Sequence, residues 1–338
     1  MILHHSAAVA GLDPIGFNLP HVISHNQWQY NVLIDFQGNN QSFFMGAFFF
    51  ISALFVVSSY ERKGSGKFLL DKLKRLGIPT LIWLIVILPL MSLAVGNDYA
   101  WHNITGLFTH GQIDLGVTWF CWTLIVFNAC WLLGHILHGK PNLSQQPRPI
   151  PTLWIIVLFA IVMMPVNVFG LFLQHHVGAN VLGFHLLKYF PMYIVMFALG
   201  IYAYRHNWLE QLEMKHAVAG MLMWIIARAY IDPILHGYGI HSDVVGRGFT
   251  VMGMSLFLLY AFKIVFDHRT TWTKVLSRIA FAAYAFQIPF LFIAAKCYQP
   301  VMTQMPLVNF VVIAIPSVFL SFAFGWLICK TPWLKSVF

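Results

Sequence analysis

Residues 61–77 read ERKGSGKFLLDKLKRLG, and they lie between the apolar runs FFMGAFFFISALFVVSSY at 43–60 and GIPTLIWLIVILPLMSLAVG at 77–96. Six basic residues crowd that gap: Arg62, Lys63, Lys67, Lys72, Lys74 and Arg75. Each flanking run is close to the roughly 20 residues that span hydrocarbon. Working outward, further apolar runs occupy 118–138, 151–170, 186–204, 216–235, 246–266, 278–297 and 306–329. Alternate gaps carry the remaining clusters: Lys140 and Arg148, Arg205 and Lys215, then Lys263, Arg269, Lys274 and Arg278, with Lys330 and Lys335 at the end. Sixteen of the twenty Lys and Arg residues fall on that one side, while 13–42, 97–117 and 171–185 hold none. By the positive-inside rule the basic gaps face the cytoplasm. The expected fold is all-α, a polytopic transmembrane helical bundle with nine full transmembrane helices plus a partial first helix, and the C-terminus is cytoplasmic.

Composition agrees. Hydrophobic residues make up 59% and charged residues 9% of the chain, at a mean hydropathy of +0.72. Soluble domains carry about 25% charged residues. The formal charge of +9 does not mark a nucleic-acid binder, because the basic residues alternate along the chain instead of forming one stripe on a soluble face. Cys121, Cys130, Cys297 and Cys329 lie in or at the ends of apolar runs with no CxxC, so they read as small buried hydrophobes. The first ten residues lack a basic n-region and a long h-region. No linker is long enough for a second soluble fold, so residues 1–338 read as a single membrane domain, with the Pro-, Gln- and Asn-bearing stretch 139–150 as a short cytoplasmic connector.

The start of the chain breaks the pattern. A helix at 43–60 that delivers Arg62 inward requires the chain before it to lie outside, yet only Met1 to Gly11 is apolar ahead of Asp13-Pro14. The expectation is that residues 1–11 are the closing turns of a first helix truncated at its N-terminus; a short extracellular tail is the alternative.

Four stretches resemble one family, the type-3 acyltransferases. QSFFMGAFFFISALFVVSSYERKGSGKFLLDKLKRLGIPTLI at 41–82 resembles the family's second helix and following basic loop. KYFPMYIVMFALGIYAYRHNWLEQL at 188–212 is similar to its Phe-Pro segment, GVTWFCWTLIVF at 116–127 to its Trp-rich helix, and ILHHSA at 2–7 to the end of its first helix. The resemblance implies an integral membrane O-acyltransferase that moves an acyl group, acetyl or succinyl, from cytoplasmic acyl-CoA to a hydroxyl of an envelope glycan or lipid-linked sugar in a bacterial inner membrane. Acyl-CoA is then a co-substrate, with no cofactor. It also implies a catalytic His: His5, which directly precedes Ser6-Ala7-Ala8, with His4 as the neighbouring candidate. The family's Arg, eleven positions earlier, would fall ahead of Met1. Its basic pair on the acyl-CoA side corresponds to Lys72 and Arg75, with Lys in place of Arg. Ser52-Ala53, where Gly is usual at the second position, and Gln287, where His is common, are further departures.

These residue types suit the chemistry. An imidazole with an ordinary pKa near 6.5 takes a hydroxyl proton and returns it near neutral pH, with no thiol or serine nucleophile required; the structural alternative for His4 and His5 is an interfacial position. Lys72 and Arg75, three apart, share a face on an α-helix and suit a phosphate group, although a basic loop also serves topology. Arg228 and Asp232 stand at i,i+4 inside the run 216–235, either as a helix-stabilising pair or as lining of a donor tunnel or acceptor cavity. Asp35, with Asn39, Asn40 and Gln41, either meets a sugar hydroxyl or solvates the helix end. Nine of the sixteen histidines, among them His21, His25, His175 and His176, lie in or beside outside gaps, but with no recurring metal-ligand spacing, so no metal is expected. The Phe-rich stretch 43–50 and Trp119 and Trp122 read as packing and interfacial anchors, and Pro79, Pro165, Pro191 and Pro289 as helix kinks around a cavity. Two rival readings stay open: an inactive relative, and a small-molecule exporter, for which no inverted repeat is visible.

Overall fold

The structure is a computed structural model that describes all residues except 13–25, 97, 140–144, 267–269, 333, 335, 336 and 338, and the backbone alone at 11, 12, 95 and 266. Asp13-Pro14, His21, His25, Lys140, Arg269, Lys335 and part of the 139–150 connector therefore lie outside the described residues. Among the described residues sixteen α-helices follow in order: α1 Ile2–Ala7, α2 Gln27–Leu54, α3 Val56–Lys72, α4 Ile78–Ile82, α5 Leu88–Val95, α6 Tyr99–His110, α7 Trp119–Leu137, α8 Leu153–Val177, α9 Phe190–Arg205, α10 Met214–Ile226, α11 Asp232–Gly237, α12 Ser242–Val245, α13 Arg247–Phe266, α14 Thr271–Ala285, α15 Gln287–Tyr298 and α16 Pro306–Lys330. No strand occurs among the described residues.

Among the described residues seven continuous helical segments are long and apolar enough to cross a membrane, and the pair α14 and α15, bent by 68°, makes an eighth if counted as one span. Eight of the nine expected runs find their helix in this set. The ninth, 43–60, does not stand as a helix of its own. Its first part closes α2, whose preceding residues Gln37 to Ser42 are polar, and the helix breaks at Phe55 (φ −96°, ψ −1°) before α3 begins. Nothing in the local sequence accounts for that break.

Proline explains a recurring irregularity. Three π turns, at Leu73–Gly77, Trp83–Ile87 and Ala227–Ile231, each end two residues before a proline, Pro79, Pro89 and Pro233. A proline ring lacks the N–H and clashes with the carbonyl four residues back, and widening the preceding turn accommodates both. The expected kinks at other prolines divide. Pro165 lies inside an uninterrupted α8, Pro191 opens α9 instead of bending it, and Pro289 follows the 68° bend at Phe286.

The chain forms two compact units, each built from separate stretches of sequence. Unit 1 comprises Met1–Asn40, Lys74–Trp122 and Arg269–Phe338. Its core gathers Val9, Trp83, Leu88, Ile288, Leu291 and Ile313. Gly116, at φ +48°, makes room for the Trp83 indole, since a Cβ there would lie 2.0 Å from it. Asp114 pins the loop beneath α6: its carboxylate accepts from Tyr99 Oη (2.6 Å) and from the Gly116 N–H (2.7 Å). Burial and that carboxylate hold the Tyr99 phenol well above its ordinary value, so it stays a donor.

Unit 2 comprises Gln41–Leu73 and Thr123–His268. Its helices meet through small residues, as expected where lipid supplies no hydrophobic drive between helices. At the α10–α13 crossing a Cβ on Gly220 would lie 2.5 Å from the Gly253 carbonyl oxygen, and one on Gly253 equally close to that of Gly220. On α8 the buried residues Ile156, Ala160, Met163, Asn167 and Gly170 recur at helical spacing, while Leu158, Ile161, Val162, Val168 and Phe169 are exposed. A helix whose exposed face is this apolar has lipid as its solvent.

Candidate active site

In unit 1, His5 lies in α1, which continues through a π turn to Leu12. Ala7, Ala10 and Leu33 form a buried cluster against Phe36, Leu307 and Phe310, which seats this segment on α2 and α16. Gln37 Nε2 donates to the His4 carbonyl at 3.3 Å, tying α1 to the first half of α2. The two imidazoles meet edge to face with centroids 5.3 Å apart. Nε2 of His5 is buried and makes no hydrogen bond. Asp35, by contrast, is exposed on α2; the polar residue of that helix that meets α1 is Gln37. Gln287 opens α15 at the bend, is fully buried, donates to the Tyr284 carbonyl and leaves its Oε1 without a partner. α1 packs directly against α15 and α16.

Lys72 and Arg75, the pair expected to meet the acyl donor, are placed differently from the simple helical expectation. Lys72 is the last residue of α3, with its ammonium 5.5 Å from the centre of the buried Phe68 ring, whereas Arg75 is exposed within the π turn that follows. A π turn is wider than an α turn, so residues three apart across it no longer stack as on a regular helix. Lys63, earlier in the same basic stretch, is paired to Asp71 at 2.7 Å, and Gly64 (φ +70°) breaks α3 just after it.

In unit 2 Arg228 donates to Asp232 at 2.5 Å, the ion pair anticipated from i,i+4 spacing, although Arg228 lies in the π turn Ala227–Ile231 and Asp232 directly follows it. Neither residue lines the apolar groove of about 770 Å³ that runs past α8, α10 and α13 from Met214 and Lys215 to Ile231 and Phe249. A second charged cluster in this unit was not legible beforehand. Asp243 of α12 accepts from Lys188 (2.9 Å) and from the Tyr189 hydroxyl (3.0 Å), and the Arg247 guanidinium stacks 3.4 Å from the Tyr189 ring centre. Burial works to raise the Asp243 carboxyl, but Lys188 and Tyr189 outweigh it and hold the group below its ordinary value. Its contribution to stability is therefore present above the unfolded carboxylate pKa, about 3.9, and is lost as pH falls through the lower folded value. A signal for this cluster does exist in the sequence: the four basic residues outside the sixteen of the basic gaps are Lys188, Arg228, Arg247 and Lys296, and three of them converge here.

No group of three His, Cys, Asp or Glu residues able to hold a metal ion occurs among the described residues. A family model described as an acyltransferase domain matches residues 1–327 of the chain. No curated protein and no solved structure matches it.

Proposed function

The chain belongs to the type-3 acyltransferase family and is a multi-pass membrane acyltransferase of groups other than amino-acyl groups, and from that premise we propose that it transfers an acetyl or succinyl group from cytoplasmic acyl-CoA to a hydroxyl of an envelope carbohydrate in a bacterial inner membrane. The observation that carries the assignment of the base is the buried, unbonded Nε2 of His5 in the segment that matches the family. In the proposed reaction that nitrogen accepts the acceptor hydroxyl's proton as the oxygen attacks the thioester carbonyl. The C–O bond forms, the C–S bond breaks, and the imidazolium returns its proton to the departing thiolate. Release of free thiol from acetyl-CoA by the purified protein, dependent on extracted envelope glycan, tests this reading. No thiol release with either acetyl- or succinyl-CoA contradicts it.

Lys72 and Arg75 are proposed to meet the phosphates of the donor. Replacing both by Gln is expected to raise KM for acyl-CoA about tenfold, in line with the loss of a charge-assisted contact, with yield and kcat little changed. Donor kinetics equal to wild type would leave these residues to topology. The orientation, with the C-terminus cytoplasmic, rests on the partition of basic residues. A reporter fused after Gly139 is expected to read cytoplasm and one placed within 97–117 to read the exterior; the reverse pattern overturns the orientation.

A further inference from the structure

Within unit 2 the last turns of α2 and the helix α13 touch at one level and enclose a gap from there toward their basic ends. At the touching level Thr250 Oγ1 donates to the Ser42 carbonyl at 3.0 Å, and a Cβ on Gly46 would stand 2.8 Å from a Val251 methyl. Beyond it the two helices line facing walls of a groove of about 620 Å³. Phe43, Ala47, Ile51 and Leu54 recur at helical spacing on the α2 wall, with Leu258 and Phe262 on the α13 wall. Phe48, Phe55 and Phe262 at its edges are exposed, so the groove opens sideways to the bilayer.

The polar residues at its mouth all lie at one end. Lys263 Nζ donates to the main-chain carbonyls of Leu209 (3.2 Å), Glu210 (2.6 Å) and Leu212 (3.2 Å), which clamps the turn between α9 and α10 onto α13. Those three bonds go to neutral groups. Glu210 is exposed and lines the mouth together with Lys263. Glu213, near enough to feel the Lys263 charge, is already paired with Lys215 at 2.8 Å. One cation and one anion without a salt-bridge partner among the described residues, Lys263 and Glu210, therefore stand at a single mouth, on the side of the basic gaps.

Length then selects the occupant. From Phe43 to Leu54 a helix rises about 17 Å, and half of a hydrocarbon core of about 30 Å is about 15 Å. The groove runs from one interface to the midplane, the depth of one leaflet. Within a bilayer an occupant gains no hydrophobic drive from entering it, so shape, dispersion contacts and the charges at the mouth decide what stays. An acyl chain matches the walls. A head bearing both a phosphate and an ammonium matches the mouth, whereas a purely anionic head would meet Glu210 with a like charge. We propose that this groove binds one acyl chain of a phosphatidylethanolamine-type phospholipid from the leaflet on the basic side, with its phosphate toward Lys263 and its ammonium toward Glu210. The site is independent of the acyl-transfer reading above.

Native mass spectrometry of the delipidated full chain, titrated with phosphatidylethanolamine and with phosphatidylglycerol of identical chains, tests this. The wild type is expected to bind its first phosphatidylethanolamine more tightly than its first phosphatidylglycerol. Glu210→Gln leaves the main-chain carbonyl bonded to Lys263 and removes only the anion. It is expected to cut the preference by about twofold to fivefold, the weight of one exposed ion pair, with Tm unchanged. Leu258→Trp fills the groove and is expected to abolish the tightest binding of either lipid while the protein still elutes as folded. Should the Trp variant fail to fold, Glu210→Gln decides alone. Equal or tighter binding of phosphatidylglycerol by the wild type, a preference that survives in Glu210→Gln, or wild-type lipid binding by folded Leu258→Trp overturns the assignment.

Discussion

His5→Ala is expected to reduce acyl transfer by about 10²- to 10⁴-fold, the usual weight of a general base, while the protein still inserts and purifies as the wild type does. The expectation of normal folding comes from the contacts of α1. Its buried residues are Ser6 and Ala7, and the neighbouring cluster on α2 and α16 is made by Ala7, Ala10 and Leu33. The Gln37 tie is to the main-chain carbonyl of His4, which no side-chain replacement removes. His4→Ala is the internal control: successive residues on an α-helix point about 100° apart, so the two rings cannot address the same hydroxyl in the same way. Thiol release from acetyl-CoA in the presence of glycan is the measurement. Loss in His4→Ala with retention in His5→Ala moves the base by one residue. Retention in both removes histidine catalysis at this site.

How much of this could be read from residues alone follows from where physics acts locally. The alternation of basic gaps and apolar runs decided the fold class, because hydrocarbon thickness and positive-inside orientation are properties of segments and not of packing. The number of separate spans was harder. Whether 43–60 stands alone depends on a break at Phe55 that no local residue type announces, and α14 with α15 counts as one crossing or none depending on a 68° bend. For Lys72 and Arg75 the spacing argument assumed regular α geometry, and Pro79 had already undone it by widening the turn at 73–77. Arg228 and Asp232 could be paired by counting four residues; Arg247 and Lys188 could not be joined to them, since nothing in a linear chain places residue 188 beside 243. The off-pattern charge of these residues was visible, but its convergence required the tertiary fold. Asp35 is exposed at its helix entrance, which fits either a sugar contact or a solvated helix end, and the contact of Gln37 with α1 needed the tertiary fold to be seen.

Gly200→Ala is expected to cost about 1–3 kcal/mol, the range for overfilling a close-packed interface, and Gly200→Leu to prevent recovery of folded protein. In unit 2, α9 crosses α2 at this glycine. An added Cβ would stand 2.3 Å from the Phe50 carbonyl oxygen and 2.7 Å from the Ala53 Cβ. The nearest obstacle is main chain, which cannot swing aside as a long side chain can, so the two helices must part. Parting them loosens the aromatic layer alongside, where Phe49 meets Tyr193 (centroids 4.9 Å) and Phe127 (5.2 Å), and Phe127 meets Phe197 (5.2 Å). Each of those contacts weakens steeply with separation. Gly134→Ala in α7 is the matched comparison: nothing lies within 4 Å of its would-be Cβ, and alanine is the better helix former by up to about 1 kcal/mol. Tm in detergent, followed by size-exclusion profile, separates the two, with Gly200→Ala well below wild type and Gly134→Ala equal or above. Equal Tm values for both variants would mean that α9 and α2 do not meet at the glycine, and the small-residue account of how unit 2 is assembled would fall with them.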